Sequence, residues 1–287
     1  MSQLVGVHGI GKQYRWRKQI VDEWTSALTG GIEWAAGHPL AKPPDLDVAF
    51  YGHLFRSGAE STLAAGTARK SKADNQEGAD LAALDDEEFS DLAAAVQEIV
   101  SPDDLAGAEA AIGANKGLMW LPIPVQRLVG AIERRFPRSS GIVVLSALRQ
   151  VRLYLRDTQL KTEIDQIAAT AANGCDVIIG HSLGSVVAYE YLRQNPGQRV
   201  DLLLTVGSPL GFRTVRDWLP RIQPSVAKWV NVRDPHDPVT AGGALGRWFR
   251  GVLDGQTENG LDAHAAERYL SSRAVGDALI DVLPGLG

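Results

Sequence analysis

The chain has 287 residues, 45% of them hydrophobic and 22% charged, a globular composition long enough for one α/β core with an insertion and short for two domains. A net charge of −5 gives no reason to expect a nucleic-acid partner, and no apolar run reaches membrane-spanning length. The single cysteine, Cys175, excludes an intramolecular disulfide and a cysteine-based zinc site.

The first residues run straight into Leu4–Val7, a predicted strand with no basic leader before it, so the expected location is cytoplasmic. His8-Gly9-Ile10-Gly11 ends that strand. Ile20, Val21, Trp24, Ala27 and Leu28 then recur at helical spacing across Tyr14–Leu28, and Gly30-Gly31 is expected to stop the helix. Residues 46–51 read as a second strand, followed by the loop Gly52-His53-Leu54-Phe55. Strand, helix, strand argues for a parallel sheet with a crossover.

That pattern breaks at residue 57. Residues 57–80 are rich in Ala, Gly, Ser, Lys and Asp with little periodicity, and Asp85–Val100 reads as an amphipathic helix with acids at its N-terminus. Residues 73–115 hold twelve Asp or Glu and no Lys or Arg, a local −12 against +7 for the rest. An acidic insertion docked on a mildly basic body and a solvated loop both fit that asymmetry. Leu118–Pro124 is an apolar patch broken by prolines, and Val125–Phe136 has the pattern of a further helix. Residues 57–140 are therefore read as a mainly helical insertion, a cap or lid. If it folds over the sheet, Trp120, Leu121, Ile123 and Val125 would line an acyl pocket; core packing or a dimer contact would use them equally well.

Regular order resumes at Gly141. Ile142–Ala172 looks helical, most strongly over Tyr154–Ala172, with a short strand near Ile142–Leu145 as the alternative. Cys175 precedes the apolar run Val177–Ile179 and reads as a small core residue. Strands are predicted at Val200–Val206, Lys228–Val232 and Arg250–Leu253, and a closing helix at Leu270–Leu283.

Between the buried strand and the next helix stands Gly180-His181-Ser182-Leu183-Gly184. A serine hydroxyl is a poor nucleophile unless a tight turn holds it out beside a base, and a Gly-x-Ser-x-Gly strand-to-helix turn does this. The first turn of the following helix aims free N–H groups, Leu183's among them, at the space above the serine. The base must be a histidine downstream, and only His236 and His264 qualify. His264 lies in a late loop before a helix. His236 stands one residue from Asp237, too close to the expected acid to reach Ser182. Asp237-Pro238-Val239 turns the chain back over the sheet edge and makes Asp237 the expected acid, with Asp234 as the rival. Ile10, after the first strand, can offer a second backbone N–H. Tyr51 and His53 end a strand on the same edge and are expected either to touch substrate or to anchor that loop.

Together, His8–Gly11, Gly180–Gly184, Gly207-Ser208-Pro209-Leu210-Gly211, Asp237–Val239 and His264 resemble an α/β-hydrolase of the lipase and serine-esterase kind. The resemblance covers residues 1–55 and 141–287, which makes residues 1–56 and 141–287 the expected core, and does not extend to the insertion. It implies a mostly parallel sheet of about six strands flanked by helices, with the family's first two strands missing. It implies a Ser182/Asp237/His264 triad, oxyanion amides at Ile10 and Leu183, and hydrolysis of a carboxylic ester through an acyl-enzyme, with no cofactor and no metal. The substrate would be a small-molecule or lipid-like ester, with peripheral membrane contact through the insertion. The same triad would also serve an acyltransferase or thioesterase. Two readings of other classes remain: a non-catalytic binding protein on this fold, and a phosphate-binding loop at Gly6–Lys12, which matches G-x-x-x-x-G-K but carries Gln13 where a hydroxyl is needed.

Overall fold

Six strands form one sheet: β1 (Leu4–Val7), β2 (Leu46–Ala49), β3 (Val177–His181), β4 (Leu202–Val206), β5 (Lys228–Arg233) and β6 (Val252–Gln256). Their order is β2-β1-β3-β4-β5-β6, and every neighbouring pair is parallel. The structure is a computed structural model and describes residues 4–55, 80–113, 116–137, 139–283 and 285. The low-periodicity stretch at 57–80 lies almost wholly outside them.

The strands are short apolar runs because both faces of a parallel sheet are covered by helices. Side chains alternate between the faces. Leu4, Val177, Ile179, Leu202 and Leu204 meet α1 (Arg17–Ala36), α9 (Ala266–Leu270) and α10 (Arg273–Val282) on one side. Val5, Ile178 and Leu203 join the opposite core, with α5 (Gly141–Arg156), α6 (Thr158–Ala172) and α7 (Leu183–Gln194). The result is a three-layer α/β fold.

Helix α1 does not stop at Gly30-Gly31. It runs to Ala36 and ends at Gly37, whose φ of 79° lets its N–H close on the Glu33 carbonyl. Gly31 serves packing instead. A Cβ on Gly31 would lie 2.5 Å from the Leu270 carbonyl oxygen, and one on Gly276 of α10 would strike the Gly31 carbonyl. These helices touch backbone to backbone.

The region 141–172 contains no strand. Ser140 caps α5 through the Val143 N–H (3.4 Å), so Ile142–Leu145 form its first turns. Asp157 then accepts from the N–H groups of Gln159 (2.9 Å) and Leu160 (3.0 Å), which ends α5 and starts α6. The closing helix is likewise two, with Ser272 capping α10.

The acidic stretch forms α2 (Asp86–Gln97), capped by Asp85, and α3 (Pro102–Ala110), capped by Ser101; α4 (Ile123–Arg135) follows. Leu92 and Val96 of α2 and Val129 and Ile132 of α4 are fully buried in the same core as the sheet. Along α5, Arg152 donates to Asp91 (2.6 Å) and pairs with Glu87 (3.2 Å), and Arg149 pairs with Glu88 (3.4 Å). The acids of α2 are thus docked on a basic helix face. Leu121 and Val125 are core residues, whereas Met119, Trp120 and Ile123 are exposed. Among the described residues no helix is long and apolar enough to cross a membrane.

The two kinds of helical glycine separate cleanly by experiment. Gly276→Ala is expected to cost about 1–3 kcal/mol by forcing α10 off α1. Gly30→Ala, with no neighbour within 4 Å, should add about 0.5–1 kcal/mol. Urea unfolding of both variants measures this, and equal effects would contradict the crossing described.

Candidate active site

Strand β3 ends at His181 and α7 begins at Leu183, so Ser182 alone makes the bend. Its φ of 53° and ψ of −125° make it the one non-glycine at positive φ among the described residues. Such a conformation costs about 1–3 kcal/mol and persists only where surroundings enforce it. They do so here by close approach. A Cβ on Gly180 would lie 2.6 Å from the Ser185 Cα, and one on Gly184 would strike the Val7 carbonyl oxygen. Ser185 Oγ ties the turn to its neighbour, donating to the Ser182 carbonyl (2.6 Å) and sharing a bond with Ser208 Oγ (2.7 Å).

The late loop brings His264 to this bend. His264 Nε2 lies 2.9 Å from Ser182 Oγ, and its Nδ1 lies 2.7 Å from Asp237 Oδ2. An ionised carboxylate only accepts, so Nδ1 carries the proton and Nε2 is left to accept from the serine. Ser182 and Asp237 have no exposed surface, and the His264 side chain is 15% exposed.

Asp237 and Asp234 have different partners. Asp237 Oδ1 accepts from the Val239 N–H (2.9 Å), and Oδ2 also accepts from the Tyr269 hydroxyl (2.8 Å). Asp234 accepts from the backbone N–H groups of His236 (2.7 Å) and Asn259 (2.6 Å), so it pins the loop that carries His264. Asn259 Nδ2 extends that hold by donating to the Ala263 carbonyl (2.8 Å). His236 points outward, 64% exposed beside Asp234.

The His8–Gly11 loop rests against the serine. A Cβ on Gly9 would fall 2.7 Å from both Ser182 Cβ and His181 Nδ1. His8 Nδ1 donates to the Gly9 carbonyl (2.7 Å), so its bare Nε2 accepts the Tyr51 N–H (3.1 Å). The Tyr51 ring stacks on His8, and its hydroxyl donates to the His8 carbonyl. Tyr51 is fully buried and anchors this loop. Burial pushes His8 down to about 4. His181 is also held well below its ordinary value, first by burial and then by the neighbouring His264. Its Nε2 donates to the His264 carbonyl (2.9 Å), fastening the His264 backbone to the strand.

The structure therefore brings together Ser182, His264, Asp237, the loop containing Ile10, and Leu183 at the first helical position. His53 and Trp120 stand at the surface. His53 stacks on Phe50 in a cleft with Arg17 and Asp47, and Trp120 Nε1 donates to the Gly117 carbonyl (2.8 Å). Cys175 is buried, and burial followed by the Asp176 charge pushes its thiol up to about 12, far from a reactive thiolate. Lys12 pairs with Glu267 (3.6 Å), and the helix that follows in the chain, α1, begins only at Arg17, so the Gly6–Lys12 turn does not lead directly into a helix as a phosphate-binding loop does. Among the described residues no three His, Cys, Asp or Glu side chains are grouped to hold a metal ion.

Tyr269 is the member of the site that sequence reasoning misses. Its hydroxyl accepts from the Asp234 N–H (3.0 Å) and donates to Asp237, joining the two aspartates. Burial, then the Asp237 charge, raises its pKa, so it stays a neutral donor. A tyrosine near the end of a short helix carries no motif. The usable signal is general: a buried tyrosine hydroxyl needs a partner.

Comparison with family models, with curated proteins and with solved structures finds no match for this chain.

Two measurements probe this geometry. His8 is neutral in the folded protein down to about pH 4, whereas the unfolded chain takes up its proton near 6.5. The unfolded state binds more protons as pH falls, so this stability is full above 6.5 and drains away toward 4. His8 alone implies a loss of about 2 kcal/mol between pH 7.5 and pH 5, and His181 adds to it. Urea titrations at the two pH values should show the fall, and His8→Gln should flatten it. Tyr269→Phe leaves the Asp234 N–H without its acceptor and should cost about 1–3 kcal/mol, read by the same titration.

Proposed function

We propose that the chain is a serine hydrolase of the α/β-hydrolase kind that cleaves a carboxylic ester through an acyl-enzyme on Ser182. The observation that carries this reading is the unbroken relay from Ser182 Oγ to His264 (2.9 Å) to Asp237 (2.7 Å), built on a serine held at φ 53°. An ordinary strand-to-helix turn has no use for a strained serine or for an imidazole brought from the far end of the chain. The all-parallel sheet with helices on both faces supports the same reading.

In the proposed reaction His264 Nε2 takes the Ser182 proton as Oγ bonds to the acyl carbonyl carbon. Asp237 stabilises the imidazolium that forms and keeps the ring in one tautomer. Backbone N–H groups of Ile10 and Leu183 receive the oxyanion, each contributing about 3 kcal/mol. His264 returns the proton to the departing alcohol, leaving the acyl group on Ser182. Water, activated by the same ring, then releases the acid.

The proposal extends to residues 57–140 as a cover over the site. The exposed Met119, Trp120 and Ile123 support it. His53 and Trp120 are the proposed surface contacts for an apolar ester.

Ser182→Ala should fold normally and lose at least about 100-fold in turnover of a p-nitrophenyl ester, with loss of labelling by a fluorophosphonate. Asp237→Asn should lower kcat by about 10³–10⁴-fold, and Asp234→Asn far less, because Asp234 touches only the loop. Full turnover by Ser182→Ala would remove the nucleophile, and a reversed order of the aspartates would remove the assigned acid.

A further inference from the structure

A cleft of about 1020 Å³ opens between α2, α7, α8 (Arg213–Trp218) and the segment from Ala241 to Phe249. None of Ser182, Asp237 and His264 lines it. Its floor is apolar: Tyr189, Leu219 and Phe249 are almost fully buried, and half-exposed Trp248 forms a wall. Three arginines, Arg213, Arg216 and Arg221, also line it.

Arg216 is fixed in place. Its guanidinium carbon sits 3.9 Å from the centre of the Trp248 ring, and one N–H donates to the Gly211 carbonyl. Among the described residues no carboxylate lies within 4.0 Å of any of the three guanidinium groups. Partial burial shifts the Arg216 pKa downward, with Glu98 and Asp217 only partly offsetting it.

The acceptors around the cleft are mostly spent. Glu98 receives the N–H groups of Arg213 (2.6 Å) and Thr214 (2.8 Å) and the Thr214 hydroxyl (2.6 Å). The Gln223 amide closes in both directions on the Arg250 backbone (2.7 and 2.9 Å), and the Tyr189 hydroxyl donates to the Ile222 carbonyl (3.3 Å). Exposed Asp217 is the remaining carboxylate. What is left over is a set of planar cationic donors above an apolar floor.

We infer that this cleft binds a small organic anion, its carboxylate or phosphate gripped by Arg216 with Arg213 and Arg221 and its apolar part laid on Tyr189, Leu219 and Phe249. Guanidinium forks match the oxygens of either group in pairs, and a preset fork loses little freedom on binding. The inference does not depend on the hydrolase reading.

Isothermal titration of the full chain with phenyl phosphate, hexanoate, inorganic phosphate and benzyl alcohol tests it. Phenyl phosphate or hexanoate should bind with one-to-one stoichiometry, and whichever binds tighter identifies the oxyanion. Inorganic phosphate should bind about tenfold more weakly, and benzyl alcohol not detectably. Arg216→Gln should weaken the anion about tenfold or more, and the exposed-site variants Arg213→Gln and Arg221→Gln should each weaken it measurably with unchanged circular dichroism. No binding of either organic anion, or binding that all three variants leave unchanged, would overturn the assignment.

Discussion

The bend at Ser182 exists because α7 lies against β1 with only a hydrogen atom between them. Gly184 faces the Val7 carbonyl so closely that any side chain would displace the helix. That contact sets where α7 starts, and the start of α7 sets the backbone angles of the serine. The same contact brings the His8–Gly11 loop down onto Ser182 through Gly9. One close crossing thus fixes a hydroxyl, the adjacent helix N-terminus and a glycine loop relative to one another. The cost of the strained serine is spread over the packing of a buried strand and a largely buried helix.

Around this crossing stand three imidazoles whose protonation is set by their neighbours. His8 is held neutral by burial, and its bond to Gly9 leaves a bare nitrogen for the Tyr51 N–H. His181 is neutral for the same reason and spends its proton on the His264 carbonyl. His264 faces a carboxylate on one side and a hydroxyl on the other. Two of the rings therefore act as rigid spacers with defined donors and acceptors, and the third is the one that the proposed mechanism uses to move a proton. Tyr269 completes the arrangement by sharing the carboxylate oxygen that His264 uses.

Much of this was legible in the sequence, for identifiable reasons. Gly180 and Gly184 stand out because steric demand leaves no alternative residue. His264 could be singled out because only two histidines follow Ser182, and Asp237 because it sits in the Asp-Pro-Val turn beyond a strand. Other features were hidden by ambiguity in the signal itself. Gly30-Gly31 reads as a stop, yet the same absence of Cβ lets α1 lie on α10, a contact that depends on residues far along the chain. Asp157 looks like one more polar residue in a long helical pattern until its side chain is seen to cap α6. Tyr269 and the Arg216–Trp248 pair were beyond reach, since neither has local spacing and each is assembled from distant segments. The stretch at 57–80 has no period to read.

The backbone-to-backbone contact of α1 with α9 and α10 has a consequence for how the imidazole beside Ser182 is held. That ring belongs to the segment immediately before α9 and α10, and those two helices are seated on α1, where Gly31 meets the Leu270 carbonyl and Gly276 meets the Gly31 carbonyl. A contact on the far side of the helix layer thus governs a ring that it never touches. A side chain wedged in at Gly31 would tilt α9 and α10 and carry His264 away from the hydroxyl, while the serine bend, built from β3, α7 and β1, stayed as it is.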